Sequence, residues 1–481
     1  MKKKKKERLF VEGLAVIDAG SEGMAVAKHA EKIVFVPYAA PGDILDVEVY
    51  KNKRRFMEGR ILRISKASEQ RTPPSCRHFG TCGGCRWQHL DYTWQLHYKE
   101  KQVKDNLERL AGLVSIPLRP IVGSERQFFY RNKLEFTFSS RKWLTQPTPF
   151  DQLNQQDMNG LGFHLPGMFD RILDIDECLL QENPSNDIRL AVRNWALSEK
   201  MPFYDTRSHS GLMRNLIIRN TSAGRVMVIL VTSETNPKID QELFPLLTSS
   251  FPEIHSLVHV VNPKKNDTIN DLDFSVVHGE SYLSETMASP VPGKPDLNFR
   301  IGPLSFYQTN PKQAESLYRL AYELASFKGN ELVYDLYTGT GTIACYIAHS
   351  VKEVVGIEYV ESAVSDARIN ATDNQLSNVS FVAGDMASML DDSFVMQYGK
   401  PDVVITDPPR SGMHPKVVEQ LIKIAAEKIV YISCNPATQA RDLMTLKEHY
   451  DIIVVQPVDM FPQTHHVENI VLLHRKLLIA E

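Results

Sequence analysis

The chain has no apolar run near the ~20 residues needed to span a bilayer. Its basic start, MKKKKKER, is not followed by the apolar stretch of a secretory signal. These absences argue against a membrane or exported protein and predict a cytoplasmic one. Cysteine is scarce, with six among 481 residues. That excludes a secreted disulfide scaffold and suits a reducing compartment. There is no internal repeat, and the net charge is only −3. What is present is length: 481 residues exceed one ordinary core, so several domains are expected.

The small net charge hides an asymmetry. Residues 1–130 hold 24 Lys and Arg against 15 Asp and Glu, a net of +9, so the remainder carries −12. Lys2–Lys6 reads as a solvated basic tail over residues 1–8, and without it the excess is still +4. A basic N-terminal third suits a polyanionic partner. Residues 9–66 alternate short β-rich runs with turns, which predicts a small barrel. Lys51, Lys53, Arg54 and Arg55 cluster between two of its strands. Residues 67–295 read as a mixed α+β central region. It opens on a cysteine-rich loop and a helix over 91–112 with Leu96, Val103, Leu107 and Leu110 on one face. Residues 142–160 form a polar insertion, read as a surface loop.

From about residue 296 the pattern sharpens. Asn310 and Pro311 start a helix. ELVYDL, EVVGIE, VSFVAG, DVVITD and KIVYIS then alternate with helical stretches. That rhythm predicts an α/β fold with a doubly wound parallel sheet. DIIVVQPVDM and VENIVLLHRK stand too close together for a crossover helix and read as a terminal antiparallel pair. Ligands of such sheets bind at the carboxyl ends of the strands. There DLYTGTGTIA supplies Gly339 and Gly341, and acidic residues follow: Glu358, placed to grip ribose hydroxyls, then Asp385 and Asp407. A glycine turn with a row of acids resembles the class I S-adenosylmethionine methyltransferase fold, because the acids suit a sulfonium cation better than a phosphate-rich cofactor.

YISCNPAT places Cys434 where the fifth parallel strand stops, on the same edge. A lone thiol there is usually filler. Carbon-5 of uracil, however, is a poor nucleophile until a thiolate adds to carbon-6. A thiol on the cofactor edge fits that covalent route. The last strand runs antiparallel, so its start returns to this edge and brings Glu468 beside Cys434 as a base for the carbon-5 proton. His465 and His466 are the alternative bases. Arg410 follows the DPP tripeptide where amine-methylating relatives carry an aromatic, which argues against an amino-group acceptor.

FYRNK at 129–133, SFYQTNP at 305–311, DLYTGTG, ITDPPRSG, YISCNPAT and FPQTHHVEN together resemble the RNA uridine-C5 methyltransferases over nearly the whole chain. The resemblance implies an N-terminal TRAM domain, an OB-like RNA-binding barrel, at 9–66 and a Rossmann-like methyltransferase domain at 296–481. It implies S-adenosyl-L-methionine contacts from Gln308, Tyr337, Gly339, Thr342, Glu358, Asp385 and Asp407. Cys434 is the implied nucleophile and Glu468 the implied base, with Arg131, Phe306 and Asn435 near the flipped uridine.

SCRHFGTCGGC spaces Cys76, Cys82 and Cys85 as C-x5-C-x2-C, and Cys178 stands far along the chain. Zinc and iron–sulfur clusters both accept four thiolates. Zinc knuckles use two local pairs, so a triplet plus one distant cysteine favours a cluster. The resemblance agrees and implies a 4Fe-4S cluster. The ribosomal branch carries both cluster and barrel, which points to 23S rRNA as the partner of a monomeric enzyme.

Overall fold

The computed structural model describes residues 9–146 and 155–477. The basic tail and part of the polar insertion lie outside the described residues. Five strands, β1 (Leu9–Ala19), β2 (Met24–His29), β3 (Lys32–Pro37), β4 (Ile44–Asn52) and β5 (Phe56–Lys66), close into a barrel in the order β1-β2-β3-β5-β4. The period-two pattern explains closure. Val11, Val34, Val36, Leu45 and Val47 point inward and fill the barrel, while alternate residues face water. Lys53, Arg54 and Arg55 occupy the exposed turn between β4 and β5. Lys51, read from sequence as part of that cluster, instead pairs with Glu58 at 2.6 Å.

The central sheet has seven strands: β6 (Lys133–Ser139), β7 (Gly160–Leu165), β8 (Met168–Asp174), β9 (Met213–Asn220), β10 (Val226–Thr232), β11 (Ile254–Val261) and β12 (Phe274–Gly279). Their order is β12-β11-β10-β9-β6-β7-β8. A short hairpin, β13 (Leu283–Met287) and β14 (Leu297–Ile301), leads into the C-terminal sheet.

That sheet comprises β15 (Leu332–Leu336), β16 (Glu353–Glu358), β17 (Val379–Ala383), β18 (Val403–Thr406), β19 (Lys428–Ser433), β20 (Tyr450–Val458) and β21 (Glu468–Arg475), ordered β17-β16-β15-β18-β19-β21-β20. The first five are parallel, and β21 inserts antiparallel against β19. Val403–Thr406 are buried throughout, as expected for a strand covered on both faces. Strand order reverses on either side of β15, which opens a crevice at the strand ends.

The helix α1 (Tyr92–Arg109), N-capped by Asp91, precedes the central sheet in sequence but does not pack on it. Val103, Leu107 and Ala111 enter the C-terminal core beside Tyr334, Leu336 and Tyr431. Leu110, expected on the same apolar face, is half exposed because the helix ends there.

Candidate active site

A cavity of about 1380 Å³ opens along the carboxyl edge of the C-terminal sheet and runs toward the central domain. Tyr337 and Gly339 enter it from the turn after β15, both in the left-handed region at φ 63° and 56°. The Gly339 N–H donates to Glu358 Oε2 at 3.1 Å, so the turn holds the acid that ends β16. Two residues on, Gly341 has φ 78°, and an added Cβ would meet Phe381 at 2.8 Å and Ala367 at 2.9 Å. Only glycine lets the chain turn there into the helix Thr342–Ile347.

Asp385 caps the short helix after β17, accepting from the Ala387 N–H at 3.0 Å, and lines the same cavity. Asp407 follows β18. It is partly exposed to the cavity, and desolvation by its surroundings, reinforced by Asp335, pushes its carboxyl up to about 7. Asp335 itself is pushed to about 7 by burial, although Thr338 and the Ala344 N–H donate to its Oδ2. Its Oδ1 has no partner. Desolvated carboxyls without counter-ions give this edge an affinity for cationic groups.

Cys434 and Glu468 both line the far end of the cavity. β19 and β21 pair with Ser433 opposite Asn469, so Cys434 and Glu468 each lie one residue beyond the last pair of the ladder. Burial pushes the Cys434 thiol up to about 12; Glu468 and then Asp407 add to this, and Arg410 opposes it. Glu468 is raised well above the carboxylate range, first by burial and then by Asp407. Arg131, Phe306 and Gln308 reach the cavity from the other side, with Phe306 67% exposed at its mouth. The Arg131 guanidinium lies 5.6 Å from the Phe461 ring centroid, and its Nε has no partner.

Two predicted residues do not line the cavity. Thr342 is buried, with its hydroxyl 3.4 Å from that of Thr340. Asn435 caps the helix Pro436–Leu446 through the Ala437 N–H at 3.1 Å and donates to the Arg410 carbonyl. His466, the alternative base, does line it, but burial drives the ring down to about 4, leaving it a weak proton acceptor. Sequence reading passed over Tyr359 and Phe461, which both line the cavity. Tyr359 directly follows Glu358 and is 70% exposed, a signal present in the motif itself.

The cysteines converge away from this cavity. Cys82 and Cys85 pack against the apolar cluster that contains Cys178. Cys178 is raised to about 12 by burial, and Cys85, Cys82 and Cys76 add to that shift. Cys85 is raised to about 12 by burial, with Cys82 and Cys76 again contributing. Among the described residues no three His, Cys, Asp or Glu side chains are grouped tightly enough for one metal ion. The four thiols nevertheless raise one another electrostatically.

A parallel sheet with the strand reversal at β15, a glycine turn and an acidic edge defines a Rossmann-like methyltransferase fold, here joined to a closed N-terminal barrel. The tRNA (uracil-5-)-methyltransferase family model matches residues 274–476, and the TRAM domain model matches 5–62. An RNA methyltransferase of Bacteroides thetaiotaomicron is 48% identical over 94% of this chain and 99% of its own length. One from Porphyromonas gingivalis is 48% identical over 96% and 99%. The solved tRNA (uracil-54, C5)-methyltransferase of Pyrococcus abyssi, in complex with S-adenosyl-L-homocysteine, is 29% identical with TM-score 0.72, covering 96% of this chain and all of that one. The chain belongs to this family of RNA (uracil-5) methyltransferases. No described helix is long and apolar enough to cross a membrane.

Proposed function

We propose that the chain transfers a methyl group from S-adenosyl-L-methionine to carbon-5 of a uridine in 23S rRNA, through a covalent adduct with Cys434. The observation that carries this reading is that Cys434 and Glu468, each next to the last pair of the β19–β21 ladder, line one cavity with Asp407 and Glu358. The uncompensated carboxyls Asp407 and Asp335 favour a cationic ligand, and the bound donor supplies an electrophilic methyl. Glu358, at the end of β16, is placed for ribose hydroxyls; Asp385, after β17, for the adenine amino group.

Cys434, half-buried, loses its proton to water and adds to carbon-6, forming a C–S bond and turning carbon-5 into an enolate carbon. Carbon-5 attacks the methyl, whose bond to sulfur breaks. Glu468 then takes the carbon-5 proton, the C5–C6 double bond re-forms, and the Cys434 thiolate leaves. The uridine must leave its stack to reach this edge, at a cost of a few kcal/mol. Arg131 and the exposed Phe306 stand where the flipped base enters.

The four cysteines support a 4Fe-4S cluster held by Cys76, Cys82, Cys85 and Cys178. The donor set is all thiol, and a cubane separates its thiolates more widely than one zinc ion does. Arg189, fully buried beside Asp174 and then Cys178, keeps Nε and Nη2 without partners. This set is also what favours ribosomal RNA. A second reading, a uridine in tRNA, rests on the Pyrococcus abyssi tRNA enzyme, which matches 96% of this chain, so the barrel alone does not separate the two RNAs. Tritium transfer to 23S rRNA and to bulk tRNA from a strain lacking the gene separates them. Label at one rRNA uridine is expected; label only in tRNA would replace the ribosomal reading, and label in neither would end both.

A further inference from the structure

The loop joining β20 to β21 carries Phe461 and His466 to the cavity and leads into Glu468, the first residue of β21, yet side chains from outside its own sheet hold it. Lys99, buried on α1, donates to Asp459 Oδ1 at 2.6 Å and to the Phe461 carbonyl at 3.0 Å. Neither partner of this ion pair has any solvent exposure. The Tyr92 hydroxyl donates to Asp459 Oδ2 at 2.9 Å, and the Phe461 N–H donates to Asp459 Oδ1 at 3.0 Å.

Gln95 and Gln463 meet at both ends. Gln95 Nε2 donates to Gln463 Oε1 at 3.0 Å, and the Gln463 N–H donates to Gln95 Oε1 at 2.9 Å. The Gln463 carbonyl accepts from the N–H groups of Arg86 and Trp87, the two residues that follow Cys85. Gln463 has φ 68°, a conformation that a non-glycine residue keeps only when its surroundings hold it there.

For stability alone, packed apolar residues would serve as well as a charge pair sealed from water. Such a pair is retained where one conformation must be specified. Cys434 depends on none of these hydrogen bonds, because it sits at the end of β19, and the acidic edge belongs to β16, β17 and β18. We propose that Lys99 and Gln95 are positioning residues for Glu468, so that α1 and the cysteine loop govern the proton-removal step but not thiol attack or methyl transfer. This rests on the C5-methylation reading above.

The test is single turnover with RNA and a methyl-labelled donor, resolved on a denaturing gel. Lys99→Met with Asp459→Leu removes both charges together and so leaves no unpaired buried charge. Gln95→Leu cuts the second tie with the ion pair intact, in case the double variant does not fold. The methylated covalent adduct is expected to form at the wild-type rate and to persist about 10²-fold longer, the usual cost of about 1 Å of misplacement. An adduct lifetime equal to wild type, or transfer and release slowed by the same factor as a damaged fold would slow them, overturns the proposal. A wild-type chain that methylates no uridine carbon-5 overturns the reading beneath it, and the clamp with it.

Discussion

Cys434 and Glu468 each lie one residue beyond Ser433 and Asn469, the last pair of the antiparallel ladder between β19 and β21, and both line the same cavity. Nucleophile and base thus come from opposite chain directions, which a purely parallel sheet edge would not provide. The consequence is a difference in how each variant fails. Cys434→Ala is expected to abolish turnover and form no RNA adduct. Glu468→Gln is expected to abolish turnover while accumulating an adduct that carries both RNA and methyl label. A labelled adduct in Cys434→Ala would assign the nucleophile to another residue.

The acidic edge predicts a pH-dependent donor affinity. Asp407 is pushed up to about 7, so it is largely protonated below that pH and charged above it. A cationic donor prefers the charged form, so affinity measured by calorimetry should rise through pH 7 and then level off, with protons released on binding. Asp407→Asn should flatten this profile and weaken binding by about 1.5–3 kcal/mol, roughly 10- to 150-fold. RNA affinity should not change; an equal fall in RNA affinity would remove Asp407 from the donor site. Asp335 and Asp407 also hold protons more tightly in the folded chain than in the unfolded one. The ligand-free protein should therefore lose stability as pH rises from about 4 through about 7.

Turnover should also climb with pH. Cys434 and Glu468 both act in their deprotonated forms, and burial raises both. The rate of turnover should increase from pH 6 toward pH 9 with no acidic optimum. A rate that falls across this range would mean that a protonated group, not these two, limits the reaction.

The exposed turn of the barrel makes a separate prediction. Replacing Lys53, Arg54 and Arg55 by Gln should weaken RNA binding and lower the slope of log affinity against log salt by about 0.7–0.9 for each phosphate no longer neutralised. Lys51→Gln should do less, because Lys51 is already paired with Glu58. Donor affinity should be untouched; an unchanged salt slope would remove this turn from the RNA interface.

Much of the C-terminal sheet was legible because its signals are local. β-branched runs end in glycine or an acid, and each end marks the ligand edge. The position of Glu468 followed from one topological step, the antiparallel return of the last strand. Polar residues that cap were harder. Asn435 in SCNPAT caps the first turn of its own helix beside Arg410, which lines the cavity, and Thr342 packs inward. Long-range polar pairing left no trace at all. Lys99 and Asp459 are 360 residues apart, and neither the helix pattern around Lys99 nor the loop around Asp459 announces a partner. The same limit hid the packing of α1, whose apolar stripe is plain but whose receiving core is not.

Cys178 tests whether the distant cysteine belongs with the local triplet. Its thiol is buried in the apolar cluster against which Cys82 and Cys85 pack, and the other three cysteines contribute to raising it. Protein prepared without oxygen should therefore be brown and hold about four irons per chain. Cys178→Ser should lose the iron as fully as Cys82→Ser, despite its distance in sequence, whereas serine at the buried Cys345 should leave the iron in place. The Arg86 and Trp87 N–H groups that grip Gln463 follow directly on Cys85, so iron loss should also lengthen the life of the methylated adduct. Stoichiometric zinc without iron would exclude the cluster, and full iron in Cys178→Ser would leave the triplet to bind it with some other fourth ligand.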